Sequence, residues 1–508
     1  MTAWLRRHPL AAFLPLQALL YSWHLALLSP WGDEAGTLLA EHAPLGALIR
    51  FAAADIHPPL YYLLLYYWQH IPLGLDWAVQ ARLLSVFFAL LGTVALDRFW
   101  GARLEERARL ALLALWVFSP CLLLYARMCR SYSLQTLWAI VATALLTRAA
   151  AKPNWRNAAL VALALVGALY THYVVGIALI ATANLTLLYR RRWRAVLGID
   201  AAIAIGYLPW IWRLAASLTN WGGNARNYAL TGSRVLEVPV KFAYWCMSFA
   251  MGEAVPDWLL LLGVLLAPLV ALAAWRGARR SPEVAWMAGA MGAIGFIGVA
   301  RWVSYPFVPA RMLFVLPFFL LLIAQGTART GAQGGARGKG GVPRWGNLAV
   351  AAMLLVSLTG VWCYFHKTGF RNKQYPLPIG EIAGWIQHGS GAADSAILVD
   401  STNSDPVALV YALNSRRPVL QTGLPGTSDE LTRLLGDQRI RTVWFLRNTH
   451  DVSADGLDAR FEVRIRARMA ETVHPFEAYT PLERYLMGAA GGGREPPRYF
   501  HELLEFRR

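Results

Sequence analysis

The sequence predicts a polytopic α-helical membrane protein with about eleven transmembrane helices and a small C-terminal extracytoplasmic α/β domain. Three observations carry this. Of 508 residues, 56% are hydrophobic and only 15% are charged, against about a quarter charged in an ordinary soluble protein. The apolar residues arrive in long uncharged runs instead of short periodic patches. After Phe365 the pattern changes, and short segments of strand and helix length alternate. A net charge of +18 would suggest nucleic acid in a soluble chain, but the 48 Lys and Arg residues fall mainly between the apolar runs. Nucleic acid is therefore not an expected partner. Cys121, Cys129, Cys246 and Cys363 show no CxxC or Cys/His zinc spacing, so neither a disulfide framework nor a structural metal is expected.

The first run, Pro9 to Leu28, follows Arg6 and Arg7 and is long enough to cross a hydrocarbon core of ~30 Å as a helix. No small-residue cleavage site follows it, which predicts a retained anchor. Further runs lie near 79–97, 108–125, 131–147, 158–172, 173–189, 195–212, 257–275, 284–300, 307–324 and 347–365. Cations collect in alternate connections: Arg98, Arg103, Arg107 and Arg109 after the second run, Arg190, Arg191, Arg192 and Arg194 after the sixth, and Arg329, Arg337, Lys339 and Arg344 before the last. Cytoplasmic loops accumulate Lys and Arg, so the amino terminus is expected inside and everything after Phe365 outside. Residues 326–346, rich in Gly with interspersed Arg and Lys, read as a flexible cytoplasmic linker.

Residues 1–365 are thus expected to form the transmembrane domain and 366–508 the outer one. In the latter, Ala396 to Asp400, Arg417 to Leu420 and Arg441 to Leu446 read as strands alternating with helices over Asp405 to Leu413 and Ser428 to Leu435. That alternation predicts a small parallel α/β layer, with Tyr499 to Phe506 as a last amphipathic piece. No internal repeat is present.

The polar residues at run ends gather on the outer side. The long loop after the first run carries Asp33-Glu34 and then Asp55-Ile-His57-Pro-Pro-Leu-Tyr61-Tyr62. Charge at the edge of the hydrocarbon is costly enough to point to function, although carboxylates also favour helix amino termini and His-Pro-Pro also starts a helix stiffly. The next outer turn reads Tyr125-Ala-Arg127-Met-Cys-Arg130-Ser-Tyr132. Two arginines at i, i+3 share a helix face, and guanidinium suits forked contacts with phosphate oxygens. Two cations in a short outer turn run against the positive-inside tendency, which favours function over headgroup snorkelling. His172 and Tyr173, then Arg301 and Arg311 around a Pro-containing turn, complete the outer set.

In order and spacing these motifs resemble the bacterial glycosyltransferase family 39 proteins, relatives of protein O-mannosyltransferases and lipid A aminoarabinose transferases with the GT-C fold. The likeness covers roughly residues 1–365. It implies a multi-pass enzyme of the bacterial cytoplasmic membrane. Its donor would be a polyprenyl-phosphate-linked sugar, and its acceptor a lipid, polysaccharide or protein. It assigns Asp33 to the catalytic position, Glu34 to its support, and His57, Arg127, Arg130 and Arg311 to the neighbourhood of the donor phosphate. Asp55, Tyr61, Tyr132, His172, Tyr173 and Arg301, in the same outer motifs, are candidate substrate contacts. His57 stands where aminoarabinose transferases have Lys, so their particular donor and acceptor do not carry over; the departure at Met312, which follows Arg311 where Tyr is usual, bears on the assignment of Arg311. No metal or other cofactor is expected. The chemistry agrees on its own terms: cations stabilise charge growing on a leaving phosphate, and a carboxylate takes the proton of an attacking hydroxyl. The alternative class is a transporter or flippase for lipid-linked sugars, which would favour internal repeats and binding residues near mid-membrane.

Overall fold

The computed structural model describes residues 8–41, 43–54, 57–213, 234–302, 308–328, 344–391, 394–399, 405–414, 419–421, 427–448, 465–466, 469–490 and 496–508. The chain divides into two compact units, Met1–Leu25 with Ala43–Gly369, and Ala26–His42 with Phe370–Arg508. The second boundary falls close to the composition change after Phe365. The first differs from a simple two-part chain, because the stretch carrying Asp33 and Glu34 joins the C-terminal unit.

The first unit is helical. Among the described residues, six of its helices are long and apolar enough to cross a membrane: Trp77–Arg103, Tyr132–Ala151, Trp193–Arg213, Asp257–Arg280, Pro282–Val299 and Trp345–Phe365. A seventh span arises if the bent pair Glu106–Val117 and Pro120–Ala126 is counted as one. The other four apolar runs fold as shorter helices over Leu10–Ser22, Trp155–Thr171, Tyr173–Tyr189 and Pro309–Gln325. Every predicted run is therefore an apolar helix, while fewer than eleven have spanning length.

Local chemistry sets the breaks. Pro120 cannot continue a helix from before it, and Ser119 caps the new one by accepting from Leu122 N at 3.2 Å, so the pair bends by 48°. Asp76 starts the next long helix back in sequence by accepting from Ala78 and Val79 N. His172, extended at φ −162° and ψ 126°, separates the helices on either side of it. The long loop after the first run, expected on the outer side, holds helices Leu45–Ala54 and Leu60–Gln69 outside the second unit. A helix over Arg234–Met251 also lies outside the predicted runs, because its polar residues interrupt the apolar pattern.

The second unit holds a five-stranded sheet in the order β2-β1-β3-β5-β4, with β1 Ser395–Val399, β2 Val419–Gln421, β3 Thr442–Asn448, β4 Ala470–Ala478 and β5 Tyr499–Arg507. β1 pairs in parallel with β2 and β3, as the alternation of strands and helices predicts. The sheet as a whole is mixed, not parallel, because β5 lies antiparallel between β3 and β4. The amphipathic C-terminal piece is thus an interior strand. Both faces are covered: Trp444 and Leu446 pack with Ile382, Ile386 and Leu409, while Val443 and Phe445 pack with Leu398, Leu504 and Phe506. A strand buried on both faces reads as a continuous apolar run.

Helix Gly32–Glu41 belongs to this unit through Ala35, which shares a core with Leu409, and through Trp31, edge-on to Tyr375 at 5.4 Å. Helix Pro481–Ala490 is opened by a reciprocal cap, Thr480 Oγ1 accepting from Glu483 N and Glu483 Oε2 from Thr480 N. Glu483 also pairs with Arg371 and Lys373 at 3.0 and 3.1 Å.

Candidate functional site

The i, i+3 reading of the two outer arginines is corrected by the structure. Helix Pro120–Ala126 stops before Arg127, and the next begins at Tyr132, so residues 127–131 form a turn in which the two guanidiniums have separate tasks. Arg127 is 2% exposed. Its Nε donates to Tyr364 Oη at 2.9 Å, its Nη1 to the carbonyls of Leu20, Tyr21 and Trp23, and its Nη2 to the carbonyl of His24 at 2.6 Å. The rings of Tyr364 and Phe365 lie about it, with centroids at 5.2 and 5.1 Å. A cation at the last carbonyls of a helix is where the helix dipole favours it. Arg127 is thus a clamp on the end of helix Leu10–Ser22, not a group presented to a phosphate.

Arg130 belongs to a different cluster. Its Nη2 donates to His57 Nε2 at 2.9 Å. Guanidinium has no acceptor, so that nitrogen of His57 carries the lone pair. The His57 ring lies 6.2 Å from the ring of His172. His172, desolvated by burial, lies within electrostatic reach of His57, Arg311 and Arg130. Arg311 stands in the 3-10 turn Pro309–Val315, which Gln135 Nε2 anchors by donating to Ala310 O at 2.7 Å. The Nδ1 of His172 and the Nη1 of Arg311 are buried without a hydrogen-bond partner. A buried donor left unmatched in a folded protein calls for a ligand or water. Two guanidiniums and two imidazoles therefore converge from four separate segments, with polar atoms still to be satisfied.

The other expected contacts divide. Tyr61 is buried and donates to Ser85 Oγ at 2.9 Å, while Ser85 Oγ donates to Arg130 O at 3.1 Å; Cys129 Sγ lies 3.8 Å from the Tyr61 hydroxyl. It thus supports the turn that carries Arg130. Tyr132 is buried edge-on against Tyr125 at 5.5 Å, and Tyr173 accepts from Trp210 Nε1 at 3.1 Å. Asp55 and the side chain of Arg301 lie outside the described residues.

Asp33 and Glu34 occupy the first turn of helix Gly32–Glu41 in the second unit. Ala35 N donates to Trp31 O at 2.8 Å, so Trp31 holds the N-cap position and Asp33 is the second residue of the helix. Asp33 is half-buried and Glu34 is 1% exposed. Glu41, at the far end of the same helix, is also buried, and burial raises its carboxyl to about 8. Among the described residues no three His, Cys, Asp or Glu side chains gather as metal ligands.

One buried acid of the first unit escapes the motifs. Glu253, 1% exposed, follows helix Arg234–Met251 and accepts from Tyr125 and Tyr244. The sequence signal was a carboxylate four residues before the apolar run that begins at Asp257, where burial is expensive.

No protein-family model matches the chain, and no curated protein does. Solved structures do. ArnT from Cupriavidus metallidurans bound to undecaprenyl phosphate matches with a TM-score of 0.57 at 14% identity, over 98% of this chain and 97% of that one. The apo state of the same protein gives 0.59 at 13% identity, over 98% of both chains. The Archaeoglobus fulgidus oligosaccharyltransferase tethered with an acceptor peptide gives 0.51 at 12% identity, over 95% of this chain and 74% of that one. At such identities the likeness is one of architecture, and it agrees with the expectation from the motifs: the chain has the GT-C fold of these membrane glycosyltransferases.

Proposed function

We propose that this protein is a membrane glycosyltransferase that moves a sugar from a polyprenyl-phosphate-linked donor to an acceptor on the extracytoplasmic face of the bacterial cytoplasmic membrane, with its amino terminus inside. The observation that carries this reading is the convergence of buried Arg130 and His172 with half-buried His57 and Arg311. Such a cluster suits a phosphate far better than a neutral ligand. The undecaprenyl phosphate held by the similar ArnT structure is consistent with a lipid phosphate as its occupant.

In this reading Arg130 and Arg311 bind the donor phosphate, and His57 and His172 complete its hydrogen bonding. The acceptor oxygen attacks the anomeric carbon, the bond from that carbon to the phosphate oxygen breaks, and polyprenyl phosphate leaves. Charge grows on the phosphate as the bond breaks, so cations fixed around it act on the transition state more than on the ground state. Asp33 takes the acceptor proton, with Glu34 supporting it. No step runs through a metal.

The test is deletion of the gene with mass spectrometry of envelope lipids, polysaccharides and proteins. The expected result is one acceptor lacking a pentose or hexose increment, restored by the wild-type gene and not by Arg130→Ala. Arg130→Lys should restore partially, since a point charge replaces a forked donor. An unchanged envelope would reject the reading.

A further inference from the structure

Glu253 is a buried carboxylate that the reaction as drawn leaves unused. It sits in the connection between helices Arg234–Met251 and Asp257–Arg280, held there by its neighbours. Gly252 adopts φ +83°, and a Cβ on it would come within 2.7 Å of Pro120 Cβ, so the chain can lie against the bend at Pro120 only with glycine there. Gly360 faces Pro120 from another side, where a Cβ would meet Pro120 Cγ at 2.8 Å. Val255 N donates to Gly369 O at 2.8 Å and fixes the end of the connection.

From this seat the two carboxylate oxygens reach different partners. Oε1 accepts from Tyr125 Oη, and Oε2 accepts from Tyr244 Oη at 2.7 Å. Tyr125 is the second residue before Arg127, and its ring meets Tyr132, the residue that follows the turn, edge-on. One carboxylate thus grips one flank of the 127–131 turn, and through the ring contact the other. The opposite side of the turn is held by Ser85 and Tyr61.

We propose that Glu253 is a positioning residue for Arg130: as a carboxylate it locks Tyr125 and so fixes the turn from which Arg130 reaches the phosphate. This rests on the phosphate-binding reading of the Arg130 cluster. Burial lifts the Glu253 carboxyl to about 7, against the opposing pull of its two phenol donors. The titratable groups facing it are Tyr125 and Cys121 on helix Pro120–Ala126 and Tyr244 on helix Arg234–Met251. Above pH 7 the ionised group accepts both phenols through charge-assisted bonds; below it the added proton removes one acceptor site and the lock loosens.

The test measures binding of undecaprenyl phosphate to the full-length protein in detergent between pH 5.5 and 8.5, with undecaprenol as the uncharged control. Wild type should bind the phosphate in preference to the alcohol. Glu253→Gln should bind about ten-fold more weakly at pH 8, and the two should converge near pH 5.5; titration of the phosphate itself is common to both and cancels in the ratio. Tyr125→Phe, which keeps the ring and loses the hydroxyl, should weaken binding at pH 8 even if the Gln variant folds poorly, whereas Tyr244→Phe should have a smaller effect. If wild type binds phosphate and alcohol alike, the phosphate-binding reading fails and this inference with it. If wild type prefers the phosphate but Glu253→Gln and Tyr125→Phe match it at every pH, or fall by a constant factor throughout, the positioning role alone is overturned.

Discussion

Removing the Arg127 guanidinium should destabilise the protein without selectively abolishing phosphate binding. Arg127→Ala strands the carbonyls of Leu20, Tyr21, Trp23 and His24 and removes a donor from the hydroxyl of Tyr364. Trp23 and His24 are exposed, so their carbonyls can be re-solvated, and the loss concentrates on Leu20 and Tyr21. At about 1–3 kcal/mol for each buried group left unsatisfied, the change amounts to roughly 2 kcal/mol or more. The two lost ring contacts add to it. With about 2 °C per kcal/mol as the lower sensitivity for larger domains, Tm should fall by roughly 4 °C or more. Arg127→Lys keeps the charge at the helix end but not the spread of donors, and should fall between. Thermal unfolding in detergent, followed by intrinsic tryptophan fluorescence, reads the stability, and undecaprenyl phosphate binding below the transition reads the site. An Ala variant with wild-type Tm and no phosphate affinity would refute the clamp and return Arg127 to the phosphate.

Asp33→Asn keeps the shape of the side chain and cannot take a proton; it should insert and bind undecaprenyl phosphate nearly normally while losing turnover by about 10²-fold or more, and near-normal turnover would move the base elsewhere, with Asp55 next to test. Gly252→Ala should lower Tm markedly, because a side chain is strained at φ +83° and its Cβ meets Pro120; an unchanged Tm would mean that the connection can shift. Burial alone raises Glu41, so its folded value of about 8 lies above its unfolded one, and its contribution is intact at low pH and lost as pH rises through about 8. Glu41→Gln should therefore show no gain over wild type at pH 4, gain Tm progressively as pH rises from about 4.5 to about 8, and level off above that, whereas a pH-independent offset would contradict the buried acid. Single cysteines at Gly335 and at Ser415 in a cysteine-free background should differ towards an impermeant thiol reagent on intact cells, with 415 labelled and 335 protected; the reverse pattern would invert the topology.

What the sequence determined by itself was the class of structure and its local segments. Long uncharged runs satisfy their own backbone groups as helices in an apolar medium, and each of the predicted runs is an apolar helix. The strands β1 and β3 were legible because burial on both faces makes them continuously apolar. The family motifs also named the members of the cationic cluster, His57, Arg130, His172 and Arg311.

The tertiary structure decided the rest, because it depends on contacts that local patterns do not encode. β5 looked like an amphipathic end piece and is an interior strand, since strand pairing is settled by partners such as Thr442 opposite Arg507. The arginines at 127 and 130 looked like one helical face, but that period holds only while the helix continues, and the chain leaves it after Ala126. Asp33 and Glu34 joined the C-terminal unit because the side chains around them, Trp31 and Ala35, find their apolar partners there. Glu253 carried no motif at all; its significance lies in two tyrosines, one of them 128 residues away in sequence. Periodicity and composition report which surfaces must be buried, and only the folded chain selects what each is buried against.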